Sequence, residues 1–308
     1  MTGNKVVVVG GSGFLGSHIA DELSECGFLV TIFDLDHSKW LRPDQEMFIG
    51  DIQNQGALES CLQNSKYVFH LAGIADIDAS NNNPKETVQQ NIIGSVNIIE
   101  SCLKMDVQKI LFASSLYVYS DKGSFYRVCK QAVELLLETY NTEYGLRYTN
   151  LRYGSLYGPR AQVWNGLKRF VSQAMREKKV VYPGTGEEHR EYIHVKDAAM
   201  LSVSAIESQY DNQSLTVTGT QVMTTQDVLR MVNEILGGSI SLHFEPKGSD
   251  YEHSHYSMTP YRYIPKTGYK IVPSTFIDLG QGILEMIDEI NQFELNGTNG
   301  YPIRGIVK

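Results

Sequence analysis

The sequence predicts a doubly wound α/β fold, in which helices cover both faces of a parallel β-sheet. Through the first half of the 308 residues, short β-branched runs alternate with longer helical stretches. Glycines follow the first run directly, and the alternation becomes irregular beyond Arg160. These observations predict βαβ units, followed by a smaller lobe in the C-terminal part of the chain.

The first half is predicted to supply most of the sheet. Strands are predicted in KVVVV, FLVTIF, MFIG, KYVFHLA, KILFAS and RYTNLRY, and helices over about 14–26, 55–62, 85–104 and 126–144. The apolar runs are nearly continuous, as expected for strands that are buried on both faces of the sheet.

The second half is predicted to contain helices near 163–178, 195–207 and 225–236, with LTVTG as a strand and PGTGEEHR as a turn. Thr224 or Thr225 would cap the last of these helices, and Gly237 with Gly238 would end it. No internal repeat and no linker rich in Pro, Gly or Ser separates the two halves. Both halves are therefore expected to pack as one body.

Composition and charge argue against several classes of function. The formal net charge of -8 and the lack of a basic stripe speak against a nucleic-acid partner. The apolar run near the N-terminus is too short for a membrane span and lacks the layout of a secretory signal, so no membrane partner and a cytoplasmic location are expected. Four cysteines without a CxxC pair predict reduced thiols, with no metal site and no disulfide framework.

A glycine string follows the first predicted strand and opens the first predicted helix. In KVVVVGGSGFLGSHIADEL, the glycines allow a tight turn, a close approach of backbone to a pyrophosphate, and close packing of the helix on the sheet. The helix N-terminus then faces the negative charge of the ligand. The string alone is a weak signal, but its place between a strand and a helix predicts a Rossmann dinucleotide site. The predicted contacts of this site are Gly10, Gly13, Phe14, Leu15 and Gly16.

Acidic residues follow the next two strands. Asp34 ends the second strand, 18 residues after the last glycine of the string, where a carboxylate can accept hydrogen bonds from an adenosine ribose. Its charge would repel a 2'-phosphate, so NAD is predicted over NADP, although Lys39 and Arg42 are nearby. Asp51, next to Ile52, follows the third strand and either addresses the adenine or is a solvated loop acid.

A hydroxyl, a phenol and an ammonium are predicted to converge at the end of a later strand. In SSLYVYSDKGSFYRVCK, residues 114–130, Ser115 lies at the end of the strand-like run, and Tyr126 and Lys130 are four residues apart. Positions four apart on a helix project from the same face. Alone, such a pair is more often structural. After the glycine string and Asp34, an acid/base site is favoured.

These motifs occur in an order that resembles the extended short-chain dehydrogenase/reductases, specifically the NAD-dependent sugar-nucleotide epimerase/dehydratase family. The likeness includes the glycine string, Asp34, GDI at 50–52, HLAG at 70–73, Asn91 in NIIGS, the serine pair at 114–115 and YRVCK at 126–130. It continues through LRYGSLYGPR at 151–160, REYIHVKDAA at 190–199 and PKTGYKIVPSTFIDLGQGI at 265–283.

With this resemblance, we predict an NAD-binding Rossmann domain over 1–160, joined by about 191–222, and a substrate-binding lobe over 161–190 and 223–308. The resemblance also implies that Leu71, Ala72 and Asn91 belong to the NAD site, where Asn91 either holds backbone beside Lys130 or caps a helix turn. The helices near 85–104 and 126–144 resemble the pair through which relatives dimerise, so a homodimer is expected.

The resemblance implies chemical roles for the three converging groups. Tyr126 would be the general base and acid, Lys130 its electrostatic partner and a ribose ligand, and Ser115 the hydroxyl that hydrogen-bonds the reacting oxygen. A free tyrosine has a pKa of about 10, so ionisation near neutrality means favouring the phenolate by about 4 kcal/mol. One positive charge about 4 Å away contributes energy of that order at an effective dielectric near 20. Lys130 and the oxidised nicotinamide are therefore expected to lower the pKa of Tyr126.

The sequence departs from its relatives directly after Ser115. Leu116 and Tyr117 stand where the family's 4,6-dehydratases carry an Asp-Glu pair and its decarboxylases a glutamate, so water elimination and decarboxylation lack a proton handler. Oxidation at sugar carbon 4 remains. The predicted function is a sugar-nucleotide 4-epimerase that acts through a transient 4-keto intermediate. The alternatives are a 4-dehydrogenase that releases the ketone and a non-catalytic NAD-sensing protein.

Three residues are predicted to contact the nucleotide-sugar substrate. Tyr117 either lines the sugar pocket or packs, and Ser155 stands where many relatives have an asparagine that touches the substrate diphosphate. Arg190 takes the place of an arginine used against nucleotide phosphates, or it is a surface residue beside Glu187 and Glu188.

Two further regions bear on the substrate pocket. Only 11 positions separate Ser115 from Tyr126, fewer than usual in this family, which predicts a wider sugar pocket. The segment with His253, His255 and Tyr256 is predicted to be a polar loop near the substrate mouth rather than a metal or aromatic cluster.

Overall fold

The computed structural model describes residues 3–245 and 268–295, and its centre is an eight-stranded sheet. The strands are β1 (Lys5–Val9), β2 (Leu29–Asp34), β3 (Gln45–Ile49), β4 (Ser65–His70), β5 (Lys109–Ser115), β6 (Arg147–Tyr153), β7 (Ser155–Tyr157), β8 (Lys179–Tyr182), β9 (His189–His194), β10 (Gln213–Val217), β11 (Val222–Thr224), β12 (Ser241–Phe244) and β13 (Tyr269–Ile271). The helices are α1 (Phe14–Glu25), α2 (Gln55–Leu62), α3 (Ile77–Asn82), α4 (Pro84–Val88), α5 (Gly94–Lys104), α6 (Ser124–Tyr144), α7 (Gly166–Glu177), α8 (Val195–Ser204), α9 (Thr225–Ile235) and α10 (Leu279–Glu289).

The large sheet has the strand order β13-β10-β6-β5-β4-β1-β2-β3, and all seven of its pairings are parallel. Because β1 lies between β2 and β4, the strand order reverses at β1. Open α/β sheets bind ligands outside the carboxyl ends of their strands at such a reversal. The predicted doubly wound fold is confirmed, and its topology places the binding crevice beyond the end of β1.

The valine run of β1 is buried on both faces of the sheet. Val6 and Val8 belong to the core that contains residues of α1 and α8, whereas Val7 and Val9 belong to the core that contains residues of α2, α5 and α6. Successive strand residues point to opposite faces, so a strand covered on both sides must be apolar throughout. This requirement explains why KVVVV lacks an alternating pattern.

A third core forms the smaller lobe. It joins α7, α9 and α10 to the two-stranded sheet of β8 and β12, through side chains such as Val171, Leu229, Ile240 and Ile283. A separate three-stranded sheet has the strand order β11-β9-β7, and its strands alternate along the chain with those of the other sheets. The chain also returns to the large sheet, where β10 pairs with β6.

One strand of the C-terminal part of the chain belongs to the large sheet. The range 223–308 was predicted to form part of the lobe, but β13 within it pairs with β10 at the end of the large sheet. Without β13, the backbone groups of β10 on that side would form an unpaired edge, which proteins generally cover.

The predicted helix over 85–104 is interrupted. The structure has α4, a π-helical turn at Gln89–Ile93 and then α5. Asn91 lies within this turn, and its side chain is hydrogen-bonded to the backbone of Ile74. The backbone oxygen of Asn91 accepts a hydrogen bond from the Ser95 hydroxyl. Such bulges often mark functional regions of helices, and here the turn holds the segment that follows β4.

Candidate active site

A cleft of about 1260 Å³ opens at the carboxyl ends of β1, β2, β4 and β5. Its sheet side is lined by residues that end or follow these strands, including Gly10, Asp34 and Ser115. Its other wall includes Phe170 and Arg190 from the C-terminal half. A pocket for one small ligand usually measures about 300–1,000 Å³. This cleft therefore has room for a dinucleotide and a second ligand.

The glycine string forms a cradle at the start of the cleft. Gly10 has a φ of +88°, and a Cβ atom there would lie 2.5 Å from the Ala72 nitrogen. A Cβ atom on Gly16 would lie 2.2 Å from the Gly10 oxygen. Gly13 is the N-cap of α1 and offers no side-chain cap, while Phe14 lines the cleft. The first turn of α1 thus keeps backbone N–H groups for an anion such as a pyrophosphate.

Asp34 is held as a hydrogen-bond acceptor at the end of β2. Its Oδ2 accepts a hydrogen bond from the Ser12 nitrogen at 2.9 Å, and its Oδ1 accepts one from the Leu35 nitrogen at 2.8 Å. Burial raises the pKa of this carboxyl above its usual range, against these hydrogen bonds. Asp34 lines the cleft, where it is placed to accept from a ribose hydroxyl.

Four other residues predicted to bind the cofactor have different placements. Leu71, Ala72 and Ile52 line the cleft, and the nitrogens of Leu71 and Ala72 both donate to the Val9 oxygen. Asp51 is not among the described residues that line the cleft, and its Oδ1 accepts from the Gln53 nitrogen at 2.9 Å. This bond corresponds to the loop role that the sequence left open for Asp51.

Asn91 also lies behind the cleft wall. Its Oδ1 accepts from the Ile74 nitrogen at 2.7 Å, and its Nδ2 donates to the Ile74 oxygen at 2.9 Å. A Cβ atom on Gly73, which has a φ of +142°, would lie 2.6 Å from the Asn91 oxygen. Asn91 therefore fixes the backbone that carries Leu71 and Ala72 toward the cleft, rather than lining the cleft itself.

The structure brings Ser115, Tyr126 and Lys130 together on one wall of the cleft. Ser115 ends β5, and its hydroxyl forms a hydrogen bond with Tyr126. The Lys130 Nζ donates to the Ala113 oxygen at 2.6 Å and lies 5.5 Å from the centre of the Tyr126 ring. The grouping predicted from the spacing in the sequence is thus present at the carboxyl end of β5.

The charge states of these groups depend on burial. Burial raises the pKa of Tyr126 to about 12, although the hydrogen bond with Ser115 acts in the opposite direction. Burial lowers the pKa of Lys130 to about 8. Bringing the Tyr126 pKa from about 12 to neutrality takes about 7 kcal/mol. Burial outweighs the hydrogen bond with Ser115, so positive charge beside the phenol is needed to ionise it.

The predicted substrate residues line the same cleft. Tyr117 packs edge-on against Tyr126 with 6.2 Å between ring centres, and Ser155 lies on β7. Arg190 lies on β9 and forms a hydrogen bond with Tyr182. A charged fork beside aromatic rings suits recognition of phosphate and base together.

The short segment between Ser115 and Tyr126 is fastened to α6. A 3-10 turn spans Leu116–Tyr119. Within it, the Val118 oxygen accepts a hydrogen bond from Gln131 at 3.1 Å, and directly after it the Ser120 oxygen accepts one from Arg127 at 3.0 Å. Tyr117 is the residue of 116–123 that lines the cleft. The segment is therefore tied to α6 by two hydrogen bonds, and the wider pocket stays a prediction.

Sequence reasoning missed a contact between distant parts of the cleft. The guanidinium of Arg160 lies 4.8 Å from the ring centre of Trp40, and its Nη1 lies 2.8 Å from the Asp21 carboxylate. Both Trp40 and Arg160 line the cleft. A single tryptophan in a loop carries no local signal for this contact.

The part of the chain that the structure describes contains no group of three or more His, Cys, Asp or Glu residues that could hold a metal ion. Within the same residues, no helix is long and apolar enough to cross a membrane. The predicted polar loop with His253, His255 and Tyr256 lies outside the described residues.

The glycine cradle, the uncapped start of α1 and the Asp34 carboxylate fit an adenine dinucleotide. Asp34 would hold the adenosine ribose, the cradle the pyrophosphate, and Lys130 the nicotinamide ribose. Without a basic group replacing Asp34 at the end of β2, the residues fit NAD in preference to NADP.

Comparisons with known proteins agree with this geometry. The model of the NAD dependent epimerase/dehydratase family matches residues 6–217. The chain is 29% identical over 222 residues to the protein named "Putative UDP-glucose 4-epimerase" from Methanocaldococcus jannaschii, covering 65% of this chain and 73% of that protein. It is 26% identical over 278 residues to UDP-N-acetyl-alpha-D-glucosaminuronate decarboxylase from Bacillus cytotoxicus, covering 81% and 85%.

A solved structure extends the likeness over nearly the whole chain. The UDP-N-acetylglucosamine 4-epimerase from Methanobrevibacter ruminantium M1, in complex with UDP-N-acetylmuramic acid, superposes with a TM-score of 0.80 at 27% identity, covering 95% of this chain and 100% of that one. The family model spans more than half of the chain and includes the glycine string, Asp34, Ser115, Tyr126 and Lys130. The chain therefore belongs to the NAD dependent epimerase/dehydratase family, and NAD is its cofactor.

Proposed function

We propose that the protein is an NAD-dependent sugar-nucleotide 4-epimerase that acts on a UDP-sugar. The observation that carries this function is the grouping of Ser115, Tyr126 and Lys130 beside the glycine cradle, in one cleft with room for two ligands. Relatives and solved neighbours that are named as UDP-sugar 4-epimerases support the choice of reaction and of nucleotide.

The proposed reaction assigns a step to each of the three groups. When bound, oxidised NAD would supply the hydride acceptor for sugar carbon 4, and its reduced form would supply the hydride for the return. Tyr126 accepts the hydroxyl proton at carbon 4 as the ketone forms, and returns it when the ketone is reduced from its other face. Ser115 donates a hydrogen bond to the reacting oxygen, while Lys130 stabilises the phenolate of Tyr126. Inversion follows because the ketone turns between the two steps.

The residues after Ser115 favour epimerisation over elimination. Leu116 has no group that can exchange a proton, and a phenol such as that of Tyr117 is a far weaker acid than the carboxylic acids that elimination uses. The segment 116–123 is tied to α6 by two hydrogen bonds, and Tyr117 is its residue that lines the cleft. Oxidation and reduction at one carbon are the steps these residues can support.

We propose that different parts of the chain bind NAD and the substrate. Residues 1–160 with about 191–222 would hold NAD through the glycine cradle, Asp34 and Lys130. Residues 161–190 and 223–308, apart from β13 in the large sheet, would hold the nucleotide part of the substrate. Arg190 and Ser155 would contact its phosphates, and Tyr117 would contact the sugar; all three line the cleft.

The test of this function follows the hydrogen at carbon 4. The purified protein is incubated with a panel of UDP-, GDP- and CDP-sugars deuterated at carbon 4, and the products are identified by NMR. We expect a UDP-sugar inverted at carbon 4 that retains its deuterium, without net absorbance from reduced nicotinamide. Accumulation of reduced nicotinamide with a ketone would instead show a dehydrogenase. Absence of both products with every sugar would contradict catalysis on nucleotide sugars.

A homodimer is also part of the proposal. An apolar patch on α4, α6 and the π-helical turn between α4 and α5 consists of Val88, Ile93, Val128 and Leu135, and their exposed fractions lie between 39% and 48%. Val128 and Leu135 are seven residues apart on α6 and share a face. The α4 helix and the π-helical turn both contact α6, so the four exposed side chains lie on neighbouring elements. Exposed apolar patches are typical of subunit interfaces, so this one supports association with a second copy.

Replacing Leu135 by Asp should convert the dimer to a monomer, because a carboxylate would be buried in an apolar interface. Sedimentation velocity measures the change. The matched control is Val222→Asp, since Val222 is also exposed but lies on β11, away from the patch. A folded Leu135→Asp protein that stays dimeric, or a wild-type monomer, would contradict the proposed interface.

We further propose that the protein works in the cytoplasm. All four cysteines are free, and three of them, Cys61, Cys102 and Cys129, are buried in the core. Free thiols throughout a chain suit a reducing compartment.

A further inference from the structure

A buried ion pair lies one helical turn beyond Lys130. Glu134 on α6 accepts two hydrogen bonds from Arg152 on β6, one from Nε to Oε1 at 2.9 Å and one from Nη2 to Oε2 at 2.6 Å. Arg152 is 1% exposed and Glu134 is 4% exposed. The pair has the bidentate geometry that fixes the relative orientation of an arginine and a carboxylate.

The ion pair also binds the chain on both sides of Ser115. The Ser114 hydroxyl donates to the Glu134 Oε1 at 2.5 Å, which fixes the last residues of β5. The Arg152 Nη1 donates to the Tyr119 hydroxyl at 2.6 Å, which fixes the 3-10 turn that follows Ser115. One pair thus connects the end of β5, the turn after it and the helix of the acid/base groups.

The charge of Glu134 acts on Lys130. Burial lowers the pKa of Lys130, while Cys129 and Glu134 act in the opposite direction. Tyr126 faces Lys130 from the same helix, and His70 faces it from β4, where burial lowers the His70 pKa to about 3 and keeps the ring neutral. Glu134 is therefore the carboxylate that favours the protonated form of Lys130.

Stability alone does not account for such a pair. Removing two charges from water costs several kcal/mol, and a buried ion pair is often no more stabilising than apolar side chains of the same volume. Fixed geometry is what the bidentate pair supplies beyond apolar packing. The elements it connects are those that carry Ser115, Tyr126 and Lys130.

We propose that Glu134 and Arg152 are positioning residues, which hold Ser115 and Tyr126 in register and maintain a negative charge beside Lys130. This inference rests on the proposed function, in which those three groups carry the reaction. Neither residue of the pair is among the described residues that line the cleft. Their effect on the reaction would be transmitted through the groups that they hold.

The test replaces Glu134 by Gln, which keeps the shape of the side chain and removes its charge. Lys130 is followed by NMR of protein labelled at lysine Cε, with its signal assigned from Lys130→Met. We expect the pKa of Lys130 to fall by about one, because a nearby opposite charge is lost. We also expect kcat to fall about tenfold to 100-fold through misplacement of the groups, and its alkaline limb to move to lower pH.

The matched control is Asp211→Asn. Asp211 pairs with Lys109 at 2.7 Å, and Lys109 is 1% exposed at the beginning of β5, whereas Ser115 ends the same strand. This variant should lose stability without changing the Lys130 pKa or the pH profile of kcat. A folded Glu134→Gln protein with an unchanged Lys130 pKa and unchanged kcat would overturn the inference. Equal effects of the two variants on kcat and on its pH profile would also overturn it.

A second variant tests the positioning role if Glu134→Gln does not fold. Tyr119→Phe removes one hydroxyl and its hydrogen bond with Arg152, and it should lower kcat about fivefold with NAD affinity unchanged. An unchanged kcat in Tyr119→Phe would overturn the inference. The Lys130 titration needs no substrate, so failure of the proposed epimerisation and failure of the positioning role give separate results.

Discussion

Replacing Tyr126 by Phe should lower turnover of the UDP-sugar about 10³-fold, because it removes the oxygen that accepts and returns the substrate proton. The ring should stay in place, since it packs edge-on against Tyr117. NAD affinity should therefore remain close to that of the unchanged protein. The two measurements are kcat from product NMR and NAD affinity from calorimetry.

The control for this prediction makes the same chemical change elsewhere on α6. Tyr140→Phe removes a hydroxyl that hydrogen-bonds Glu100, remote from Ser115 and Lys130. Its kcat should match that of the unchanged protein. If Tyr126→Phe turns over substrate as fast as Tyr140→Phe does, Tyr126 is not the general base. If Tyr126→Phe also loses NAD, the phenol serves binding, and the assigned step fails.

The parts of the fold that were predicted correctly depend on local pattern. The helix over 55–62 has the predicted bounds, and Thr224 caps α9 by accepting a hydrogen bond from the Asp227 nitrogen, as the capping pattern indicated. Gly237 and Gly238 end that helix with φ of +87° and +75°. Helix bounds and caps of this kind depend on the types of a few neighbouring residues, so the sequence alone predicts them.

The parts that were missed depend on contacts between distant residues. β8 pairs with β12, about 60 positions later, and neither short strand has a pattern of its own. The π-helical turn follows from the bonds of Asn91 with Ile74, 17 positions away. Such pairings depend on tertiary contacts, and the sequence near each strand or turn contains no signal for them.

The candidate site shows the same division. The order of motifs predicted the cleft-lining positions of Asp34, Ser115 and Tyr126, because each directly follows or adjoins a recognisable element. The expected lowering of the Tyr126 pKa by Lys130 and the oxidised nicotinamide stays a prediction, but it did not include burial, which raises that pKa to about 12. Burial is a property of the folded cleft, and the spacing of two residues on a helix does not report it.

Replacing Gly10 by Ala should lower NAD affinity about 100-fold, which corresponds to about 2.7 kcal/mol. The added Cβ would lie 2.5 Å from the Ala72 nitrogen and 2.8 Å from the Leu71 carbonyl carbon, and both are backbone atoms that cannot rotate away. Alanine at a φ of +88° also costs about 1–2 kcal/mol. In the variant, the glycine cradle and the segment after β4 must therefore move apart. Because both line the cleft, this movement changes the surface against which NAD would bind.

A second glycine distinguishes the effect of backbone strain from the effect of steric contact in Gly10→Ala. Gly145 ends α6 with a φ of +73°, and a Cβ atom there would meet nothing within 4 Å. Gly145→Ala should therefore lower the melting temperature through strain alone and leave NAD affinity unchanged. The loss of affinity particular to Gly10→Ala then measures the contact with Ala72. Wild-type NAD affinity in a folded Gly10→Ala protein would mean that the dinucleotide does not lie at the carboxyl end of β1, and the assignments of Asp34 and Tyr126 would fail with it.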